Sequence, residues 1–159
     1  MNFVNVPSKQ IPITYEADLC VLGGSCTGLF AAVCAARLGL SVVVVEKLNC
    51  LGGTATAGLV NVWHSLLDTD YNEQIIAGLT YEVEKRLENE NALVVENNAS
   101  VGCRFNSARL SCLLDEMAKE EKIKVYLHTS YSEVLFENGK EIKRNIGFVP
   151  EVKLREFIK

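Results

Sequence analysis

Apolar residues along this chain follow two rhythms, one of strands and one of helices. Ala17-Asp18-Leu19-Cys20-Val21-Leu22 reads as a strand and breaks into the turn Gly23-Gly24-Ser25-Cys26-Thr27-Gly28. Directly after it, Leu29, Ala32, Val33 and Ala36 fall three or four positions apart, predicting one face of a helix that stops at Gly39. Ser41 to Val45 is a continuous run rich in β-branched residues, the pattern of a strand covered on both faces of a parallel sheet, and it ends at Glu46. Residues 17–50 therefore predict a complete βαβ unit.

Beyond it the pattern loosens. Leu51 to Leu67 is rich in Gly, Ala and Thr without a period, predicting a loop with one short helix. From Glu73 to Asn89 the helical spacing returns in Ile76, Leu79, Val83 and Leu87, with Glu82, Lys85, Arg86 and Glu88 as a solvated face. Ser107 is placed to cap a further helix carrying Leu110, Leu113, Leu114 and Met117. Lys124 to His128 reads as a strand. The runs 131–136 and 141–148 flank Asn138-Gly139, a strong hairpin signal, and 151–157 reads as one more strand. The expected fold class is α/β: a Rossmann-like parallel sheet, a helical insertion over 52–121, and a strand plus β-meander over 124–159. All of this forms a single domain spanning 1–159.

Composition narrows the function. With 159 residues, 48% hydrophobic and 23% charged, the chain is of globular type rather than disordered. A net charge of −4 provides no basic footprint for nucleic acid or an anionic membrane surface. No apolar run is long enough to span a bilayer, and the N-terminus lacks a signal-peptide pattern, so a cytoplasmic location is expected. The six cysteines (Cys20, Cys26, Cys34, Cys50, Cys103 and Cys112) include no CxxC pair, and His64 and His128 stand far apart. Neither a metal site nor a disulfide framework is expected, and the cysteines are read as small buried hydrophobes.

The candidate chemistry sits in the first turn. Gly23 and Gly28 hold the first and third positions of a GxGxxG-type fingerprint, and Ser25 replaces the second glycine. The first glycine permits the tight strand-to-helix turn; the third allows close helix-to-sheet packing. The Ser25 hydroxyl can donate to a phosphate oxygen, and the amides opening the helix favour a pyrophosphate. Glu46 follows Gly23 by 23 positions, near the spacing at which a carboxylate accepts ribose hydroxyls. Such a carboxylate would repel a 2′-phosphate, which argues against NADP. A second cluster, Leu51-Gly52-Gly53-Thr54, lets backbone approach the rest of a long cofactor.

These residues carry a resemblance. The segments ADLCVLGGSCTGLFAAVCAARLGLSVVVVEK, CLGGTATAGLVNVWHS and LLDEMAKEEKIKVYLHTSYSEVLFENGK resemble the N-terminal part of glutathione-reductase-like, FAD-dependent oxidoreductases. The resemblance implies FAD as cofactor. It implies contacts from Gly23, Gly24, Ser25, Cys26, Thr27, Gly28 and Lys47, with Glu46 at the adenosine ribose. Gly52, Gly53 and Thr54 would lie along the flavin half, and the Tyr131 backbone at the adenine. His64 is the weak catalytic candidate, and the substrate would be a small molecule. In this family a further strand and a substrate region follow the hairpin. Both are expected to be missing here, which leaves the strand at 17–22 with an exposed edge for a complementary chain or a second copy. The alternatives are an NAD-binding dehydrogenase or reductase module, and a nonenzymatic remnant that needs a partner chain.

Overall fold

A computed structural model describes residues 13–96, 102–131, 134–137 and 140–144. The βαβ unit forms as the pattern predicts. Strand β1 (Leu19–Leu22), helix α1 (Cys26–Arg37) and strand β2 (Val42–Val45) follow one another, and β1 pairs with β2 in parallel, Leu19 opposite Val42. All four β2 valines are buried, because β2 is the middle strand of the order β1-β2-β6. Strand β6 (Lys124–Tyr126) closes that sheet in parallel, Val44 opposite Val125. Leu29, Ala32 and Val33 turn the buried face of α1 onto the sheet, and Gly39 follows the helix at φ +91°. Among the described residues β1 is hydrogen-bonded on one side alone, and Leu22 is 36% exposed.

The insertion is mixed rather than purely helical. A 3-10 turn (Gly53–Ala55) leads to β3 (Val62–Trp63), which joins β4 (Leu93–Val95) and β5 (Cys103–Phe105) in an antiparallel sheet of order β3-β5-β4. Helix α2 (Leu79–Asn89) starts six residues later than the apolar spacing predicts. Gly78 precedes it at φ +68°, and the amides of Ile75 and Ile76 both donate to Leu66 O across a loop. Ile76, expected on the buried helix face, is 45% exposed. Helix α3 (Ser107–Glu120) buries Leu110, Leu113, Leu114 and Met117. Strands β7 (Val134–Glu137) and β8 (Lys140–Arg144) pair in antiparallel fashion. The Asn138-Gly139 turn and the strand expected over 151–157 lie outside the described residues.

The cap of α3 corrects the sequence expectation by one position. Asn106, not Ser107, is the N-cap, and its Oδ1 accepts the Arg109 amide at 3.0 Å. The Ser107 hydroxyl is buried without a hydrogen-bond partner. We therefore expect Asn106→Ala to lower stability by about 1 kcal/mol, seen as a melting-temperature drop of a few degrees, and Ser107→Ala to leave it unchanged or raise it slightly. A larger drop for Ser107→Ala would overturn that assignment.

The three helices meet through Arg37 of α1, which holds Glu82 of α2 at 2.7 Å and Glu121 beyond α3 at 2.7 Å. Arg86 of α2 adds Glu120 of α3 at 2.9 Å. These are exposed pairs, each worth at most about 1 kcal/mol. The cohesion comes from the apolar cluster of Val83, Leu87, Leu110 and Leu114 packed with Leu29 and Val33.

Candidate functional site

The C-terminal ends of β1, β2 and β6 open onto one mouth, the place where open parallel sheets bind ligands. Gly23 leaves β1 at φ +102°, a conformation that residues with a Cβ rarely adopt, so the strand can turn sharply into α1. At Gly28 the constraint is space: a Cβ would stand well under 3.0 Å from Gly23 O. That contact brings the first turn of α1 onto the end of β1.

Ser25 is the N-cap of α1, and its Oγ accepts the Gly28 amide at 3.3 Å. The Leu29 amide donates to Ser25 O at 2.8 Å. Cys26 and Thr27 head the helix: the parallel bridge between Ser25 and Gly52 turns the Cys26 amide to Gly52 O, and the Thr27 amide, in the first turn, has no intrahelical acceptor. No acidic residue occupies this first turn, so the positive end of the helix dipole is not neutralised locally. The expected donation from Ser25 to phosphate is thereby modified. Its oxygen caps the helix, while the hydroxyl proton stays available.

Glu46 is more engaged than its spacing suggested. It is 5% exposed, its Oε2 accepts the Gly24 amide at 2.6 Å, and its Oε1 accepts the Leu48 amide at 2.7 Å. The carboxylate ties the first turn to the segment after β2. Each oxygen keeps a second lone pair for an incoming hydroxyl. From the far strand, the Thr129 amide donates to Glu46 O at 2.9 Å, and the His128 amide to Leu48 O at 3.0 Å. A cavity of about 280 Å³ opens here, lined by Gly23, Glu46, Lys47, Thr129, Ser130 and Tyr131. Leu22 and Val45 supply its apolar wall. The volume suits a nucleoside portion rather than a whole dinucleotide. Thr129 and Ser130 were not singled out from sequence. Their polar pair just after the β6 run was the signal available.

The two glycine clusters lie against each other. The Gly52 amide donates to Gly24 O at 2.8 Å, the Cys26 thiol to Gly52 O at 3.5 Å, and a Cβ on Gly53 would lie 3.2 Å from Ser25 Cβ. Leu51, fully buried, plugs the space below Gly24. Thr54 stays exposed on the 3-10 turn. Gly23, Glu46, Lys47 and Tyr131 line the cavity, Gly24, Ser25 and Cys26 meet Gly52 and Gly53, and Gly28 packs on Gly23, while Thr27 and Thr54 stand in the adjoining helix and 3-10 turn. His64 is exposed at the end of β3 and lines neither this cavity nor the one beside α2 described below.

The cysteines depart from expectation. Cys103 alone is buried, and Cys34 and Cys112 are exposed. Helix positions 34 and 112 lie off the packed faces of α1 and α3. Burial pushes the Cys26 thiol up to about 11, which keeps it protonated beside the mouth and unsuited to nucleophilic work. Among the described residues no group of three or more His, Cys, Asp or Glu is placed to hold a metal ion. No helix there is long and apolar enough to cross a membrane.

Comparison with known proteins follows the same line. One stretch is 49% identical over 51 residues to dihydrolipoyl dehydrogenase of Manduca sexta, covering 32% of this chain and 10% of that protein. Another is 54% identical over 39 residues to the mitochondrial dihydrolipoyl dehydrogenase of Schizosaccharomyces pombe, covering 24% and 8%. The fold is similar to THI4 of Thermovibrio ammonificans, with TM-score 0.52 and 16% identity over 79% of this chain and 44% of that one. It is equally similar to a geranylgeranyl bacteriochlorophyll reductase-like protein of Thermoplasma acidophilum, with TM-score 0.52 and 21% identity over 82% and 34%. The chain thus spans about a tenth of the curated relatives and under half of these solved structures. A family model described as FAD dependent oxidoreductase matches residues 18–152. The chain belongs to the FAD dependent oxidoreductase family, and FAD is the cofactor that goes with that membership.

Proposed function

We propose that this chain forms the FAD-holding part of an oxidoreductase that moves hydride or electrons between a small-molecule substrate and flavin. The observation that carries the reading is the joining of two glycine clusters at the open N-terminus of α1, with Glu46 braced across the mouth. The residues fit the cofactor piece by piece. The Thr27 amide at the helix start and the hydroxyl of Ser25 suit a pyrophosphate. Glu46, with a lone pair left on each oxygen, suits the adenosine ribose. The cavity beside Thr129, Ser130 and Tyr131 suits the adenine, and Gly52, Gly53 and Thr54 suit the approach to the flavin. Lys47, exposed at the rim, adds positive charge near the phosphates. When bound, FAD supplies the redox chemistry, so the protein's share is to bind, orient and exclude water.

The second cluster favours FAD over NAD, because Gly53 packed on Ser25 extends the mouth beyond what a nicotinamide dinucleotide alone requires. A substrate does not come with the curated match, which covers a third of this chain. Among the described residues one side of β1 carries no strand, which supports an expectation that a complementary chain or a second copy pairs with it.

Incubation of the purified chain with FAD, followed by desalting, is expected to leave a flavin absorption spectrum that a large excess of NAD does not remove. A folded sample that retains no flavin, or loses it to NAD, would overturn the reading.

A further inference from the structure

Helix α2 and its C-cap carry four glutamates, and three of them are matched by a cation. Glu82 holds Arg37 and Arg86, Glu88 holds Lys85 at 2.6 Å, and Glu90 holds Arg109. Glu84 is the exception. Its carboxylate accepts a bond from the Cys103 thiol at 3.5 Å, a weak donor. Lys85, the nearest cation, is committed to Glu88 and stands over the Tyr81 ring at 5.5 Å. Glu84 also lines a cavity of about 190 Å³ between α2 and the β4–β5 hairpin, walled by Leu66, Leu67, Leu93 and Val95. None of its lining residues belongs to the cavity at the mouth of the parallel sheet.

We propose that this cavity is a binding site for a small organic ammonium group, with Glu84 as the counter-charge and the leucine and valine walls receiving a short alkyl chain. Among the described residues Lys85 is the cation on this cavity's lining, and it is held by Glu88, so the partly buried Glu84 carboxylate keeps a desolvation penalty that a ligand bearing N–H donors and a positive charge relieves. Burial pushes the Glu84 carboxyl above its ordinary range, the direction expected of such a group. Three or four methylene groups fill the apolar part of this volume. A larger molecule is disfavoured by the size of the cavity, and an anionic one because Glu84 and Glu88 outnumber Lys85 on its lining.

The chain carries its own reporter. Trp63, its single tryptophan, is opposite Cys103 in the β3–β5 register and stacks on Phe105 at 4.6 Å. The experiment titrates the full chain with n-butylammonium chloride, following Trp63 emission and the heat of binding. n-Butanol and sodium chloride serve as controls at matched concentration. A saturable response to butylammonium alone is expected. Glu84→Gln should weaken it at least tenfold, because the isosteric amide still accepts the Cys103 thiol while removing the charge. Val95→Lys, at a strand position 62% exposed, supplies a tethered ammonium and should abolish the response even if the first variant folds poorly. Glu116→Gln, a carboxylate that lies off the cavity lining, should leave it intact. Absence of both signal and heat, an equal response to butanol, or undiminished binding in folded Glu84→Gln would each overturn the proposal. Flavin retention measured on the same samples keeps this result separate from the FAD reading.

Discussion

Gly28→Ala is expected to lower stability by about 3 kcal/mol, at the upper end of overpacking effects, and to abolish flavin retention. The added methyl would collide with Gly23 O, and neither side can yield cheaply. One is the backbone of the turn, and the other is the first turn of a helix whose Leu29 and Val33 are fully buried. Relief requires α1 to lift away from β1, which displaces the Thr27 amide at the helix start and breaks the bridge between Ser25 and Gly52. A melting temperature about 10 °C lower, with no flavin retained even well below the transition, is the outcome sought. Unchanged flavin affinity in this variant would mean that the helix start does not hold the cofactor.

Glu46→Ala is expected to act twice. In the free protein it strips an acceptor from two amides, Gly24 and Leu48, and charge-assisted bonds of this kind are worth about 1.5–3 kcal/mol each. In the complex it removes the carboxylate offered to the ribose, so affinity for FAD should fall at least tenfold. FMN, which lacks the adenosine, should be affected far less. That contrast separates bracing from binding. A stability loss with equal FAD affinity would leave Glu46 as a brace alone and refute the ribose assignment.

The βαβ unit could be read from sequence because each signal there was local and redundant. The valine run of β2, the three-and-four spacing of α1 and the glycines at 23 and 28 each pointed to the same turn. What escaped was set by pairing at a distance. Strands β3, β4 and β5 are two or three residues long, too short for an alternating pattern to register, and exist because Cys103–Phe105 lies between two partners. The apolar spacing of Ile76 and Leu79 continued a helical rhythm that Gly78 interrupts, and spacing alone does not report a backbone angle. At α3 both Asn106 and Ser107 are good caps, and their order was decided by which side chain reached the Arg109 amide. At the site, the glycine clusters were visible separately. Their mutual hydrogen bonds were not, since nothing in either string says that residue 52 will donate to residue 24.

The mouth is assembled from pieces with unequal histories along the chain. The glycine-turn side closes within residues 19–58, through β1, α1, β2 and the following turn, so its contacts are short in sequence. The side lined by Thr129 and Ser130 exists only once β6 has travelled back some eighty residues to lie on β2, with Thr129 and His128 latching onto Glu46 and Leu48. Closing that long loop carries an entropic penalty which the local half escapes. Hydrogen exchange should therefore divide the site in two, with the amides of 128 and 129 opening more often than those of 23 and 24. A dinucleotide spanning both halves would erase the difference by making the distant strand as slow to exchange as the local turn.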